Sequence, residues 1–534
     1  MRRSLALLPL ALLVGAGVLA AQQPGVEPVA VTTPAPDTLL AAPPEDPVPR
    51  EWQFIGYSFT RTTSTNIAPA GELLQGQVIG RLFGTNTTTT VETSGIYTEQ
   101  RFVPYLVYTP RILNGDAVFR LMGKIDYTWG DQAYGVGNNR GGAINAGQVN
   151  LQTLMANVDL RSRNRDWNVV VGLQRVFDNA YDPHHITLEQ AQTSGYKLSF
   201  WGTNAVGVNL FATPTPGMKT RVGVFQLWEN LIARDDDVTL FMADMDTRVT
   251  PRLELGANAW YLRDRAQGAG GISILGQGLT SALAEYNGAT RLRLPAPRPY
   301  VADILWVGGR AAYNRDFLAG RWWADAFAIT NLGTVDTVSV DGATSRVADV
   351  AGLALNASVA YKYGMTNADR VWAEGLFTTG DGGSTADGRT SSVLTGNIWG
   401  SPVGIYSAHR ALLLFPDPQV VSRYYSAVHD ISNAGRGVAG VSANVSRGLI
   451  PNRFVARAGT ATAFSVTTPA GGGNYIGTEI NGELRYQIGV FLHASLNAAY
   501  LRLGDYYDAP AVTLQGIRPS DPWTVFLTLS WLMF

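Results

Sequence analysis

Apolar and polar residues alternate along most of the chain after residue 51. Between residues 116 and 128, one set of alternating positions is mostly apolar and comprises Ala117, Phe119, Leu121, Gly123, Ile125 and Tyr127. The positions between them carry polar or charged side chains, among them Asp116, Arg120, Lys124, Asp126 and Thr128. Residues 369–377 and 479–487 follow the same pattern. A period of two predicts β-strands with one apolar face and one polar face.

Long and short connections alternate between these predicted strands. Short turns are predicted at 109–117, 163–167, 213–218, 249–252, 364–369, 447–452 and 487–489. Long connections are predicted at 63–96, 131–147, 178–195, 264–299, 379–435 and 503–522. Outer-membrane barrels have short turns on the periplasmic side and long loops on the outside. A soluble β-sandwich gives no reason for such a regular alternation, so the pattern indicates a membrane barrel.

The fold class predicted from this pattern is all-β: a transmembrane, antiparallel, up-and-down β-barrel of about 18 strands. The strands are predicted near 52–62, 97–109, 116–130, 149–163, 167–177, 196–212, 219–227, 238–248, 252–263, 300–313, 320–331, 348–363, 369–378, 437–447, 452–464, 475–487, 489–502 and 523–534. A barrel of about 16 or about 20 strands fits the same pattern. In a barrel of this size side chains alone cannot fill the lumen, which is expected to hold water or inward-folded loops.

The first 50 residues read as an export signal followed by a spacer. Residues 1–20 combine a basic start with an apolar stretch and small residues before a cleavage site, which predicts a signal peptide. A membrane anchor is the alternative, although the apolar stretch is shorter than the ~20 residues of a spanning helix. Residues 21–50 are rich in Pro and Ala, which predicts an extended periplasmic linker or tether. Residues 51–534 are predicted to form the barrel.

The last predicted strand has a continuous apolar face. That face consists of Trp523, Val525, Leu527, Leu529, Trp531 and Met533. Phe534, the last residue, falls on the opposite phase with Leu532 and Ser530. The alternation predicts a membrane strand at this end, with the final aromatic residue out of register.

Composition agrees with a membrane barrel. Charged residues make up 16% of the chain, which also contains 22 Tyr and 13 Trp, whereas soluble domains carry about 25% charged residues. A Lys or Arg that faces lipid at the bilayer centre costs about 2–4 kcal/mol, so charges are confined to the lumen and loops. The net charge of −1 gives no indication of nucleic-acid binding. The absence of Cys excludes disulfides and thiolate metal sites, and no cofactor is predicted.

Charged residues on the polar phase of the predicted strands are the candidate pore-lining, solute-binding residues. They are Arg101, Arg120, Lys124, Asp126, Asp159, Arg161, Arg175, Glu374, Arg457, Glu479, Glu483 and Arg485, with Glu99 and Glu254 in a wider set. Such groups can replace the hydration of a polar solute, and Arg suits a two-pronged contact with carboxylate. The alternative is that these charges pair across strands and only keep the lumen hydrated. Their signs are mixed, so ion preference stays open.

No other residues suggest catalysis or metal binding. His184 and His185 are adjacent on a polar loop, where they would not share one ion, and no carboxylate spacing supports a site there. His409 and His429 lie in the longest loop without such support. No nucleophile–His–acid set stands at a diagnostic spacing, so the chain is not predicted to be an enzyme.

The longest connection, 379–435, contains an apolar run at 411–416 (ALLLFP). Such a run is too apolar for a loop surrounded by water. It is expected to fold into the lumen, to pack over the mouth of the barrel, or to meet a partner chain. Packing against its own barrel is the interpretation that the sequence favours.

Three stretches resemble the alginate-export family of outer-membrane channels. They are GLQRVFDN at 172–179, EGLFTTGD at 374–381, and GTEINGELRYQI with LNAAYLRLGDYY within 477–507. The resemblance implies an eighteen-stranded barrel with an Arg-rich lumen, through which an anionic polysaccharide diffuses.

From these observations we expect passive passage of a hydrophilic solute, with an alginate-like polysaccharide as the first hypothesis. A general or substrate-selective porin for small solutes is the alternative. A structural barrel that tethers the envelope is the alternative from another class. The expected partners are outer-membrane lipid and the solute, and the oligomeric state stays open. Arg120, Lys124, Arg161 and Arg485 are predicted to set charge selectivity.

Overall fold

In a computed structural model, the described residues are 51–69, 78–82, 88–129, 150–177, 201–229, 231–267, 292, 294, 299–314, 317, 319–382, 384–397, 411–415, 417, 420–421, 423–428, 431–513 and 516–533. Among them, no helix has the length and apolar character needed to cross a membrane. The predictions for residues 1–50, His184, His185, His409, His429 and Phe534 fall outside these ranges.

The described part of the chain forms eighteen long strands, β1 to β18. Their bounds are Trp52–Pro69, Thr88–Tyr108, Ala117–Thr128, Asn150–Arg161, Trp167–Phe177, Trp201–Ala212, Met218–Trp228, Val238–Thr250, Leu253–Asp264, Tyr300–Tyr313, Trp322–Val338, Thr344–Lys362, Arg370–Thr378, Val438–Ile450, Phe454–Ser465, Tyr475–Gly489, Leu492–Leu503 and Trp523–Met533. Short strands at Val78–Arg81 and Arg423–Ser426 pair with each other in parallel.

The eighteen strands close into one antiparallel barrel. Each strand pairs with its neighbours in sequence, and β18 pairs with β1 from Gly56 opposite Met533 to Thr65 opposite Thr524. Closure satisfies the backbone of every strand and leaves no edge exposed to lipid, which is the condition for a sheet to cross a membrane. The predicted fold class and strand number are confirmed.

The three largest errors in the predicted strand ends are in β1, β2 and β11. β1 runs to Pro69 rather than to 62, β2 begins at Thr88 rather than at 97, and β11 ends at Val338 rather than at 331. The predicted loop 63–96 is therefore strand at both of its ends. These extensions are rich in Thr, which favours strands through its β-branched side chain. They lack apolar alternation, so a period-two pattern does not reveal them.

The outer face of the barrel is apolar and the inner face is polar. Leu121, Leu160 and Leu484 are exposed outwards, whereas Arg120 and Asp159, which alternate with the first two, are buried inside. Aromatic pairs lie near both ends of the strands, namely Trp52 with Tyr108, Trp322 with Tyr361, Phe241 with Tyr261, and Phe464 with Tyr475. An apolar exterior with aromatic girdles is the surface that meets lipid. The protein is a transmembrane β-barrel of the outer membrane.

The connections alternate between two ends of the barrel. One end carries the short turns, such as 162–166 and 451–453. The other end carries the long connections, including 265–299 between β9 and β10 and 379–437 between β13 and β14. The turn 339–343 between β11 and β12 is a short connection at this long-loop end.

We expect the long-loop end to face the cell exterior. Val340 at that end and Met365 at the short-turn end are both fully exposed, and the chain has no native Cys. A membrane-impermeant maleimide should therefore label Val340→Cys on intact cells and label Met365→Cys only after lysis. Labelling of Met365→Cys alone on intact cells would show the opposite orientation.

Candidate functional site

A segment of the longest connection lies inside the barrel. We call this segment the strap; it is described over 411–415, 417, 420–421 and 423–428. Its apolar run Ala411–Phe415 is buried in one cluster with the inward-facing residues Ile476, Leu501 and Phe526 of β16, β17 and β18. The prediction that this run packs against its own barrel agrees with the structure. The apolar side chains are buried against the wall, which explains their presence in a loop.

The carboxylate of Glu479 holds the beginning of the strap. Its Oε2 accepts hydrogen bonds from the backbone amides of Leu413 and Leu414, at 2.9 and 2.7 Å. Its Oε1 accepts one from the amide of Leu412 and one from Asn481 Nδ2, both at 2.8 Å. A buried carboxylate needs several donors to be stable away from water. Here the strap provides three of the four.

An ion pair holds the middle of the strap. Arg61 of β1 donates from Nη1 to Asp417 Oδ2 at 2.5 Å, and its guanidinium lies 3.6 Å from the centre of the Phe526 ring. Arg101 of β2 donates to the carbonyl of Val421 at 3.4 Å. The strap therefore contacts the wall at β16 and again at β1 and β2.

The chain then returns towards β13. The amides of Ala427 and Val428 donate to the carbonyls of Leu413 and Leu414, which pairs the two limbs of the strap. Thr378, the last residue of β13, donates to the carbonyl of Ile431 at 2.7 Å. The strap therefore consists of two paired chain segments, and it occupies part of the lumen next to β16, β1 and β2.

An earlier part of the same connection covers another sector of the wall. The Trp306 indole of β10 donates to the carbonyl of Leu394 at 2.9 Å. Asn331 of β11 accepts from the Leu394 amide and donates to the carbonyl of Ser392. The 379–437 connection thus lines the lumen on two sides, as an inward-folded loop in a wide barrel would.

Two cations of the predicted set share Asp126. Arg101 contacts both of its carboxylate oxygens, at 2.8 and 3.0 Å, and Lys124 lies 3.3 Å from Oδ2. The Lys124 side chain is 17% exposed and the Asp126 side chain only 3%. The ammonium therefore lies on the solvent side of the carboxylate. Arg175 of β5 lies nearby and contacts the Met122 sulfur at 3.2 Å.

Asp159 of β4 is shared in the same way. It lies 2.5 Å from Arg120 Nη2 and 2.9 Å from Arg161 Nε, and Asn168 donates to it at 2.7 Å. The Arg161 side chain is 32% exposed and that of Asp159 only 2%. In both clusters the solvent-facing group is a cation and the carboxylate is buried beneath it.

The remaining predicted residues face inwards on other strands. Arg457 of β15 contacts Glu483 at 3.3 Å and the side-chain oxygens of Asn444 and Asn481. Glu374 of β13 accepts from Asn356 at 3.1 Å. Arg485 shares the inner phase of β16, where exposed Leu484 and Tyr486 face outwards. Of the wider set, Glu99 is buried and Glu254 pairs with Arg248 near the short-turn end.

Several inward-facing charges were missed from the sequence. They are Arg61, Arg221, Asp244, Asp246, Arg310 and Asp417. Asp244 contacts Arg221 at 2.7 Å and accepts from the Trp260 indole at 2.9 Å. The signal for Arg221 was present, because it alternates with the outward-facing Val222 and Val224.

A group of acidic side chains lies at the long-loop end. The ligand atoms of Glu229, Asp236 and Asp237 lie within 4.8 Å of one another. The hydrogen bond with Asp237 is the main cause that raises the pKa of Glu229. Exposed acidic side chains often lie together without a metal ion, so this proximity alone does not indicate a metal site.

Comparison with protein-family models finds no match, and comparison with curated proteins finds none. Among solved structures, the chain is similar to OccK9 (OpdG) of Pseudomonas aeruginosa, with a TM-score of 0.47 and 11% identity over 90% of this chain and 98% of that chain. It is also similar to OccK8 (OprE) of that organism, with a TM-score of 0.46 and 10% identity over the same shares. OpdK with vanillate, again from that organism, gives a TM-score of 0.46 and 12% identity over the same shares.

None of these comparisons supports the alginate-export resemblance specifically. At this level of identity the similarity concerns the barrel as a whole. Function therefore has to be argued from this chain's own lumen.

Proposed function

We propose that the barrel is a passive, substrate-selective porin for small hydrophilic solutes and that it prefers anions. The observation that carries this proposal is the arrangement at Asp126 and Asp159. Each carboxylate is buried under a cation, so Lys124 and Arg161 are the charges that a solute meets on this wall. Rings of basic side chains favour anions in other pores.

The strap favours small solutes over a polymer. It is held against β16 by Glu479 and against β1 by Arg61. Each sugar unit of a long polysaccharide would have to pass the strap in turn, whereas a small solute needs only to diffuse past the strap once. The alginate-like hypothesis therefore gives way to the porin alternative.

Swelling of proteoliposomes tests both parts of the proposal. We expect a small monocarboxylate to enter faster than an amine or a neutral sugar of similar size, because the wetted cations attract it. A uronic-acid polymer should not enter. Equal rates for the three small solutes would contradict anion preference. The absence of any flux from correctly folded barrels would contradict a channel and would support the tethering alternative.

A further inference from the structure

Glu479 is a charged side chain of β16 that binds the strap. It lies on the inner face of β16 and is fully buried. Three consecutive amides, those of Leu412, Leu413 and Leu414, converge on its two oxygens within 2.7–2.9 Å. Three successive amide groups that converge in this way form a concave anion-binding site. The strap has folded around one carboxylate of the barrel wall.

The position of the strap and the solvation of Glu479 are therefore coupled. If the strap moved away, the carboxylate would lose three of its four donors and would have to be hydrated by lumen water. Only Asn481, on the same strand, would remain bonded to it. The loss of several hydrogen bonds to a buried charged group opposes this movement.

The other attachment of the strap has the opposite polarity. At β1 the wall provides the cation, Arg61, and the strap provides the carboxylate, Asp417. Arg61 is itself buried and packs on the Phe526 ring. The strap is thus fixed at two separate sectors of the wall. The apolar run Ala411–Phe415 is bound at Glu479, and Asp417 is bound at Arg61.

We propose that Glu479 is the positioning residue that holds the strap in the lumen and thereby sets the size limit of the channel. This inference rests on the proposed porin function for its transport readout, but the docking of the strap can be measured without transport. The solute does not have to touch Glu479 for this role, because the carboxylate acts through the strap.

Glu479→Gln removes the charge while it keeps the shape of the side chain. An amide offers one acceptor oxygen, so its NH2 group must face either the Leu412 amide and Asn481, or the amides of Leu413 and Leu414. We expect larger single-channel conductance and passage of larger polyethylene glycols than in the native protein. Asp369→Asn is the matched control, because Asp369 also accepts backbone amides, from Thr366 and Gly448, but in a short turn.

A pair of strap variants tests the same contact without a change in the barrel wall. Leu412→Pro removes the amide that donates to Glu479 Oε1, whereas Leu412→Ala keeps it. We expect Leu412→Pro to enlarge the channel in the same way as Glu479→Gln, and Leu412→Ala to change the size limit much less. Correct folding is checked by the heat-dependent mobility of the barrel in gel electrophoresis.

Thiol accessibility gives a readout that does not need conductance. Leu413 is fully buried and the chain has no native Cys. We expect Glu479→Gln to raise the maleimide reaction rate of Leu413→Cys by about tenfold or more, the effect of losing one hydrogen bond to a charged group. Folded Glu479→Gln and Leu412→Pro barrels with native size limits and native thiol reactivity would overturn the proposal. Faster thiol reaction in a barrel that conducts nothing would support strap docking and reject the porin function.

Discussion

Replacement of residues 411–428 by a short Gly/Ser linker is expected to raise single-channel conductance several-fold. The strap consists of two paired chain segments that lie within the lumen and are attached to β16, β1 and β2. An eighteen-stranded barrel is wide enough to leave an aqueous channel when no loop occupies it. Removal of the strap should return that cross-section to water. Planar-bilayer recordings of single channels measure the change.

The barrel itself should survive this excision. The eighteen strands are closed by their own ladders, and the β18–β1 pairing does not involve the strap. Glu479 loses its three strap donors and Arg61 loses Asp417, but both side chains gain contact with water, so their charges are hydrated rather than left in an apolar site. Removal of residues 340–342 is a suitable control, because this exposed turn lies at the same end of the barrel. Native conductance in the folded strap-less protein would show that another element limits the pore.

The strands could be predicted because their signal is local. β5 and β10 match the predicted ranges 167–177 and 300–313 at both ends. In each strand, every second side chain faces lipid and the side chains between them face the lumen. A few residues therefore suffice to define the pattern. The Thr-rich ends of β1 and β2 were missed because neither face there is apolar. A strand end could therefore be predicted where one face of the strand is apolar, and it was missed where both faces are polar.

The phase of each candidate residue was predictable, but its partner was not. Arg120 and Asp159 lie on neighbouring strands, yet their contact depends on the register Val118 opposite Asp159. The Glu479 contacts span 65 to 67 residues of chain and use backbone amides. Every residue except Pro has such an amide, so no sequence pattern marks these three as donors. The apolar run indicated burial without indicating which wall it would meet.

Combined replacement of Lys124 and Arg161 by Ala is expected to abolish the anion preference of the channel. Each side chain is the wetted member of its cluster, and each covers a buried carboxylate. In a narrow aqueous pore, a unit charge about 4 Å from a solute ion contributes about 1–4 kcal/mol. The double variant removes both wetted cations, while Asp126 and Asp159 keep their buried partners Arg101 and Arg120, so the two clusters become neutral. The reversal potential in a salt gradient measures the result.

The buried cations of the same clusters should behave differently. Arg101 and Arg120 have side chains only 4% exposed, so they contact the carboxylates more than the solute. Removal of one partner from a buried ion pair costs about 3–5 kcal/mol, because the other charge stays buried. Arg120→Ala is therefore expected to lower barrel stability. Arg248 belongs to an exposed ion pair near the short-turn end, so Arg248→Ala should leave the reversal potential unchanged. An unchanged reversal potential in the Lys124 and Arg161 double variant would mean that another part of the wall selects the ion.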